Sequence, residues 1–115
     1  MMLDWNEYRH ELLARVGDIA KLSPDTVRGY QALGAAGNHT AHLDAKTREL
    51  IALGCAVTSR CDGCITVHAE AAIKHGATRE EVAEALGVAI AMGAGAALVY
   101  SARTLDAFDA VKNAG

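Results

Sequence analysis

Helix-start signals punctuate this chain at short intervals, and they constrain its fold more than any other feature. Asp4 stands three residues before Glu7, in the order of a capping box. Ser23-Pro24-Asp25 sets a capping hydroxyl, a proline at the first helical position and an acid in the electropositive first turn. Asp44 follows the polar stretch 37–43, Ser59 stands three residues before Asp62, and Thr78-Arg79-Glu80-Glu81 forms another capping box. Stop signals interleave with these: Gly37-Asn38, the interruption Thr58-Ser59-Arg60, and Lys74-His75-Gly76, where basic residues precede a glycine suited to left-handed backbone.

Between the signals, apolar residues recur at helical spacing. A first helix over 4–20 carries Tyr8, Leu12, Leu13, Val16, Ile19 and Ala20. A second carries Val27, Tyr30 and Leu33, and a third runs from Ala45 to about Val57 with Leu50, Leu53 and Val57 facing a core. A fourth is capped by Ser59, which puts Cys61 in its first turn, and a fifth turns Val82, Leu86, Ala89 and Ile90 inward. Gly93 and Gly95 break or bend the chain before a last helix that carries Leu98, Val99, Leu105 and Phe108 to about Val111. No segment of useful length alternates as a strand does. The expectation is an all-α fold of about six helices, a single domain over residues 1–115.

Composition adds a constraint on assembly. The chain is 51% hydrophobic but only 4% aromatic, with Ala and Gly supplying much of the apolar count. Such helices approach closely but each buries little area, which favours an oligomer. A net charge of −3, without any Lys/Arg cluster, argues against a nucleic-acid partner. The charged start MMLDWNEYRHE does not read as an export signal, and three cysteines suggest a reducing compartment, so the cytoplasm is expected. Residues Ala85 to Ala102 lack Asp, Glu, Lys and Arg and reach membrane-spanning length. They are mostly Ala and Gly without an aromatic belt or a positive flank, so no membrane association is expected.

The chemistry concentrates in Cys61-Asp62-Gly63-Cys64-Ile65-Thr66-Val67-His68. On a helix, Cys61, Cys64 and His68 share one face within about 60°. A thiol attacks only as thiolate, and two devices here favour that form. The amino-terminal N–H groups of the helix favour an anion at Cys61, whereas His68, one turn after Cys64, can take the Cys64 proton. Spacing alone leaves the nucleophile open between the two.

Glu49 lies on an apolar helical face with Ala52, Leu53 and Ala56, and Lys46 is its possible partner. A carboxylate so placed either marks the edge of the core or tunes a neighbour. Two alternatives stand beside the redox reading. Cys61, Cys64 and His68 can be joined by His75 or Glu49 as zinc ligands, although structural zinc sites usually draw ligand pairs from different elements. Alternatively, the cysteines and histidine are inert core residues, which Asp62 and Gly63 between them disfavour. Cys55, among Leu53, Ala56 and Val57, reads as a small core residue. His39 and His42 read as solvated loop residues, His10 as a surface position, and Tyr30 and Tyr100 as core or interface.

Taken jointly, Lys46-x-Arg48-Glu49-Leu50-Ile51-Ala52-Leu53, the Cys61-x-x-Cys64-x-x-x-His68 motif and Gly76-Ala77-Thr78-x-Glu80-Glu81 resemble the carboxymuconolactone decarboxylase-like superfamily. More closely they resemble its alkylhydroperoxidase D type, in which a glutamate stands twelve residues before the first cysteine and a histidine four after the second. The similarity covers roughly residues 22–110. It implies an all-α fold, a homo-oligomer (trimer or hexamer) and a thiol-based reductase of hydroperoxides or disulfides, with no cofactor and no metal. By that resemblance Cys64 attacks, Glu49 and His68 relay protons, Cys61 closes the disulfide, and an external dithiol of thioredoxin or lipoyl type reduces it. Gly63 departs from the pattern, since the alkylhydroperoxidase D proteins carry a further histidine there, which leaves substrate and reductant open. The alternatives are decarboxylation of a carboxymuconolactone-type small acid, which needs no cysteine pair, and a non-enzymatic redox or metal-binding module.

Overall fold

In the computed structural model, which describes residues 1–114, the chain forms five helices and, among the described residues, no strand. They are α1 (Trp5–Leu22), α2 (Pro24–Thr40), α3 (Ala45–Ser59), α4 (Asp62–Lys74) and α5 (Arg79–Ala114). The all-α expectation holds, with five helices rather than six. α3 is the hub: it packs against both α4 and α5, α4 also carries α1, and α1 carries α2.

Most of the capping signals act as read. Asp4 accepts from the Glu7 N–H at 3.1 Å, and Asp44 accepts from the Thr47 N–H at 2.8 Å. Thr78 and Glu81 form a reciprocal capping box, with bonds of 2.9 and 3.1 Å. α4 closes on Gly76 at φ +84°, where the Ala77 N–H reaches back to the Ala72 carbonyl.

Three boundaries differ from expectation, each for a physical reason. Gly93 and Gly95 do not interrupt α5. An isolated helical glycine costs only about 1 kcal/mol against alanine, and the surrounding alanines carry the helix through. α2 runs past Gly37 to Thr40 and ends on Ala41 in the left-handed region. Gly37 instead permits close approach, since a Cβ there would lie 2.6 Å from Cδ of Arg48. The Arg48 guanidinium donates to the Asn38 side chain and the Leu43 carbonyl, clamping the α2–α3 turn. The third difference, at Ser59, bears directly on the cysteines.

The interior of one chain is thin. Leu53, Ala56, Thr66 and Ala72 are the buried residues among those described. The radius of gyration is 19.1 Å, against about 13 Å for a compact chain of this length. The accessible surface is 9020 Å², against about 6000 Å² for a compact monomer of this mass. Much of the excess is apolar. Leu98, Val99, Tyr100, Leu105, Phe108 and Val111 project exposed from the second half of α5, and Tyr30 and Leu33 from α2. α5 is long and apolar enough to cross a membrane by length and composition. Its first turn is tied to α3 by the Lys46–Glu81 ion pair at 2.8 Å.

Candidate active site

The α3–α4 junction sets the geometry of the cysteine pair. α3 extends through Ser59, and Arg60 takes a left-handed conformation at φ 54° to end it. Ser59 therefore belongs to the preceding helix and does not cap α4. Cys61 is the N-cap instead, one residue ahead of the first turn, and its Sγ accepts from the Cys64 N–H at 3.1 Å. Cys61 and Cys64 are joined as a disulfide with their Cα atoms 5.2 Å apart. The N-terminal field expected to act on Cys61 thus has a specific donor, the Cys64 amide.

His68 follows Cys64 by one helical turn on the half-buried side of α4. Its Nδ1 lies 2.7 Å from Oε2 of Glu49 on α3. The two side chains are 31% and 21% exposed, enough for solvent to reach them and too little for free rotation. An ionised carboxylate only accepts, so the proton of this bond belongs to Nδ1, which leaves Nε2 as the basic nitrogen. Lys46 is not the partner of Glu49: it turns away to Glu81. The hydrogen bond and charge of Glu81 raise the Lys46 pKa, and Lys46 in turn holds the Glu81 carboxyl below the usual range.

Each of the four residues singled out from the sequence is thus placed on the α3–α4 pair, Glu49 bonded to His68 and Cys61 to Cys64. No group of three or more His, Cys, Asp or Glu side chains converges as a metal site among the described residues. Cys55 is exposed, contrary to its reading as a core residue. It lines an apolar groove of about 520 Å³ between α3 and α5, with Leu50, Ile51, Gly54, Val88 and Met92. That groove is lined by none of Glu49, Cys61, Cys64 or His68, so it is separate from the reactive groups. His39 sits in the last turn of α2 rather than in a loop, and His10 and His42 are exposed.

Sequence reasoning missed Thr66 and Arg9. Thr66 is 3% exposed, accepts from Arg9 Nη1 at 3.2 Å and donates to the Trp5 carbonyl at 3.0 Å. Only tertiary contact across 57 and 61 residues makes these groups partners.

Residues 24–107 match the pattern of the carboxymuconolactone decarboxylase family. The chain belongs to that family. A crystal structure of the apo form of a carboxymuconolactone decarboxylase family protein from Legionella pneumophila superposes with a TM-score of 0.73 at 37% identity. That match covers 91% of this chain and 94% of the other. An uncharacterized protein of Haemophilus influenzae is 51% identical over 112 residues, which is 97% of this chain and 99% of that one. An uncharacterized protein of Cupriavidus necator is 35% identical over 101 residues, 88% of this chain and 89% of its own. The family match begins at Pro24, so α1 lies wholly outside it.

Proposed function

We propose that this protein is a thiol-dependent oxidoreductase that cycles the Cys61–Cys64 disulfide. The observation that carries this reading is the 2.7 Å bond between Glu49 and His68, one helical turn beyond a cysteine pair already within bonding reach. Glu49 orients the imidazole and stabilises its protonated form, so that Nε2 exchanges protons at Cys64.

In the cycle, the Cys64 thiolate attacks the terminal oxygen of a hydroperoxide. The O–O bond breaks, the alkoxide leaves with a proton relayed by His68, and Cys64 becomes a sulfenic acid. The Cys61 thiol then attacks that sulfur, forming the disulfide and releasing water. An external dithiol, of thioredoxin or lipoyl type, returns two electrons and two protons and is itself oxidised to a disulfide. During that return Cys61 departs as a thiolate toward the Cys64 amide, and a stabilised leaving thiolate departs faster. A disulfide substrate is accommodated by the same pair: Cys64 attacks, a mixed disulfide forms, and Cys61 resolves it.

The working form in this proposal is a cytoplasmic homo-oligomer, a trimer or hexamer. The excess surface of one chain, about 3000 Å² over a compact monomer, is of the size that obligate interfaces bury. The α3–α5 groove and the apolar second half of α5 supply the faces. Family membership also keeps a second reading in view, decarboxylation of a small lactone acid, which does not need the cysteines. Consumption of peroxide and of a lipoyl or thioredoxin dithiol distinguishes the two. Loss of turnover in Cys64→Ser supports the oxidoreductase, and full activity in that variant overturns it.

A further inference from the structure

Gly63, the residue just before Cys64, has no side chain, and the tip of Leu12 on α1 occupies the space where one would go. A Cβ at Gly63 would lie 2.7 Å from Cδ2 of Leu12. α1 is not free to retreat. Arg9 Nε pairs with Glu70 at 3.1 Å, Arg9 Nη1 donates to Thr66, and the buried Thr66 hydroxyl donates to the Trp5 carbonyl at 3.0 Å. Arg9 Nη2 is held in turn by the Asn6 side chain at 2.9 Å. Gly63, Thr66 and Glu70 recur at i, i+3 and i+7 and form one stripe of α4. Cys64 and His68 belong to a different stripe, about 150° around the helix. α1 therefore braces the first turn of α4 from behind, while Glu49 engages it from the side of the chemistry.

We infer that Leu12 is a positioning residue for the dithiol. Packed on Gly63, it holds the turn in which the Cys64 amide points at Cys61 Sγ. A charge-assisted bond of this kind is stronger to a thiolate than to a neutral thiol, so the brace lowers the proton affinity of Cys61. α1 precedes the residues that match the family pattern. A side chain at 63 and Leu12 compete for one space. A substitution at 63 is then harmful only while Leu12 is present.

The inference deepens the oxidoreductase reading and rests on it for its functional meaning, but it is tested without turnover. In the full-length reduced protein, the alkylation rate of Cys61 is followed against pH with iodoacetamide. Peptide mass analysis separates Cys61 from Cys55 and Cys64. The variants are Gly63→Ala, Leu12→Ala and the double variant, with thermal unfolding measured on each. Alanine at 63 improves helix propensity, so a purely local effect would leave Cys61 unchanged or better held. The expected result is a Cys61 pKa raised by about one unit in Gly63→Ala, a tenfold fall in thiolate at fixed pH below the pKa. Leu12→Ala raises it as well, and in the double variant Gly63→Ala adds nothing to the Leu12→Ala shift. A Gly63→Ala protein whose Cys61 titrates as in the parent overturns the inference, as does a double variant whose shift is the sum of the two single ones. Should Gly63→Ala not fold, Leu12→Ala decides: a raised Cys61 pKa in a folded protein supports the brace, and an unchanged one refutes it. Failure of peroxide turnover with these results intact would count against the proposed reaction and not against the brace.

Discussion

The Nδ1 of His68 and Oε2 of Glu49 are 2.7 Å apart, joining two helices at the point where α4 carries its cysteine pair. A glutamate on the apolar face of α3 has no local partner that explains it; the imidazole 19 residues away does. The bond fixes the imidazole in one orientation and assigns its Nδ1 proton, and both properties matter if His68 handles the proton of Cys64.

Glu49→Gln keeps a hydrogen-bond acceptor and removes the charge. The expected outcome is a 10- to 100-fold fall in the rate of Cys64 oxidation by peroxide, on the order of what orienting partners contribute, with thermal stability little changed. His68→Ala is expected to cost more, roughly 10²–10⁴-fold, as for loss of a general acid–base group. Stopped-flow oxidation of the reduced dithiol measures both, and equal rates in parent and Glu49→Gln contradict the relay.

The exposed apolar face of α5 is expected to be buried between copies of the chain. Sedimentation or light scattering should give a mass several times the 12.0 kDa of one chain. A charge on that face, in Leu105→Asp or Phe108→Asp, is expected to shift the distribution toward smaller species and to lower stability as the thin core of a single chain is left unsupported. A monodisperse monomer in the parent would contradict this.

Leu53 is 5% exposed at the centre of α3, where α4 and α5 both pack. Leu53→Ala is expected to destabilise by about 2–5 kcal/mol, read by denaturant unfolding at fixed protein concentration. With so few buried residues to share the loss, unfolding at the lower end of mesophilic temperatures is the expected consequence.

Acid should loosen the α3–α5 contact. Lys46 and the Thr78 backbone hold Glu81 below its ordinary pKa, and Thr47 does the same for Asp44 at the start of α3. Groups with folded pKa values below the unfolded ones add stability above about pH 4.5. That contribution is lost as pH falls through the folded values. Lys46, raised by Glu81, contributes below about pH 10 and loses its contribution as pH rises through its folded value. Thermal unfolding of the parent should fall at both extremes, and Glu81→Gln should flatten both limbs. An acid limb unchanged in Glu81→Gln would contradict the assignment.

The helical fold was legible because its determinants are local. Asp4, Asp44 and the Thr78–Glu81 box cap neighbours three residues away, and Gly76 needs only its own backbone. The misplaced boundaries are those decided elsewhere in the chain. Gly37 reads as a stop but serves Arg48, and Ser59 reads as a cap but is drawn into α3 when Arg60 takes the left-handed turn. Gly93 and Gly95 read as breaks in isolation, but the helix-forming alanines around them outweigh glycine's penalty of about 1 kcal/mol. At the site, the Cys61–His68 spacing is local and visible. The Glu49–His68 bond spans two helices: the apolar face around Glu49 marks it as unusual, but only the family resemblance ties it to His68. The α1 brace through Leu12, Arg9 and Thr66 left no periodic trace beyond an ordinary amphipathic helix.

The central claim is that His68 sets the proton affinity of Cys64. Its most direct test is the alkylation rate of Cys64 against pH, resolved from Cys55 and Cys61 by peptide mass, in the reduced parent and in His68→Ala. A Cys64 pKa well below the ordinary value of about 8.5 is expected in the parent, with a rise toward that value in His68→Ala. A Cys64 that titrates near 8.5 in both proteins would contradict it.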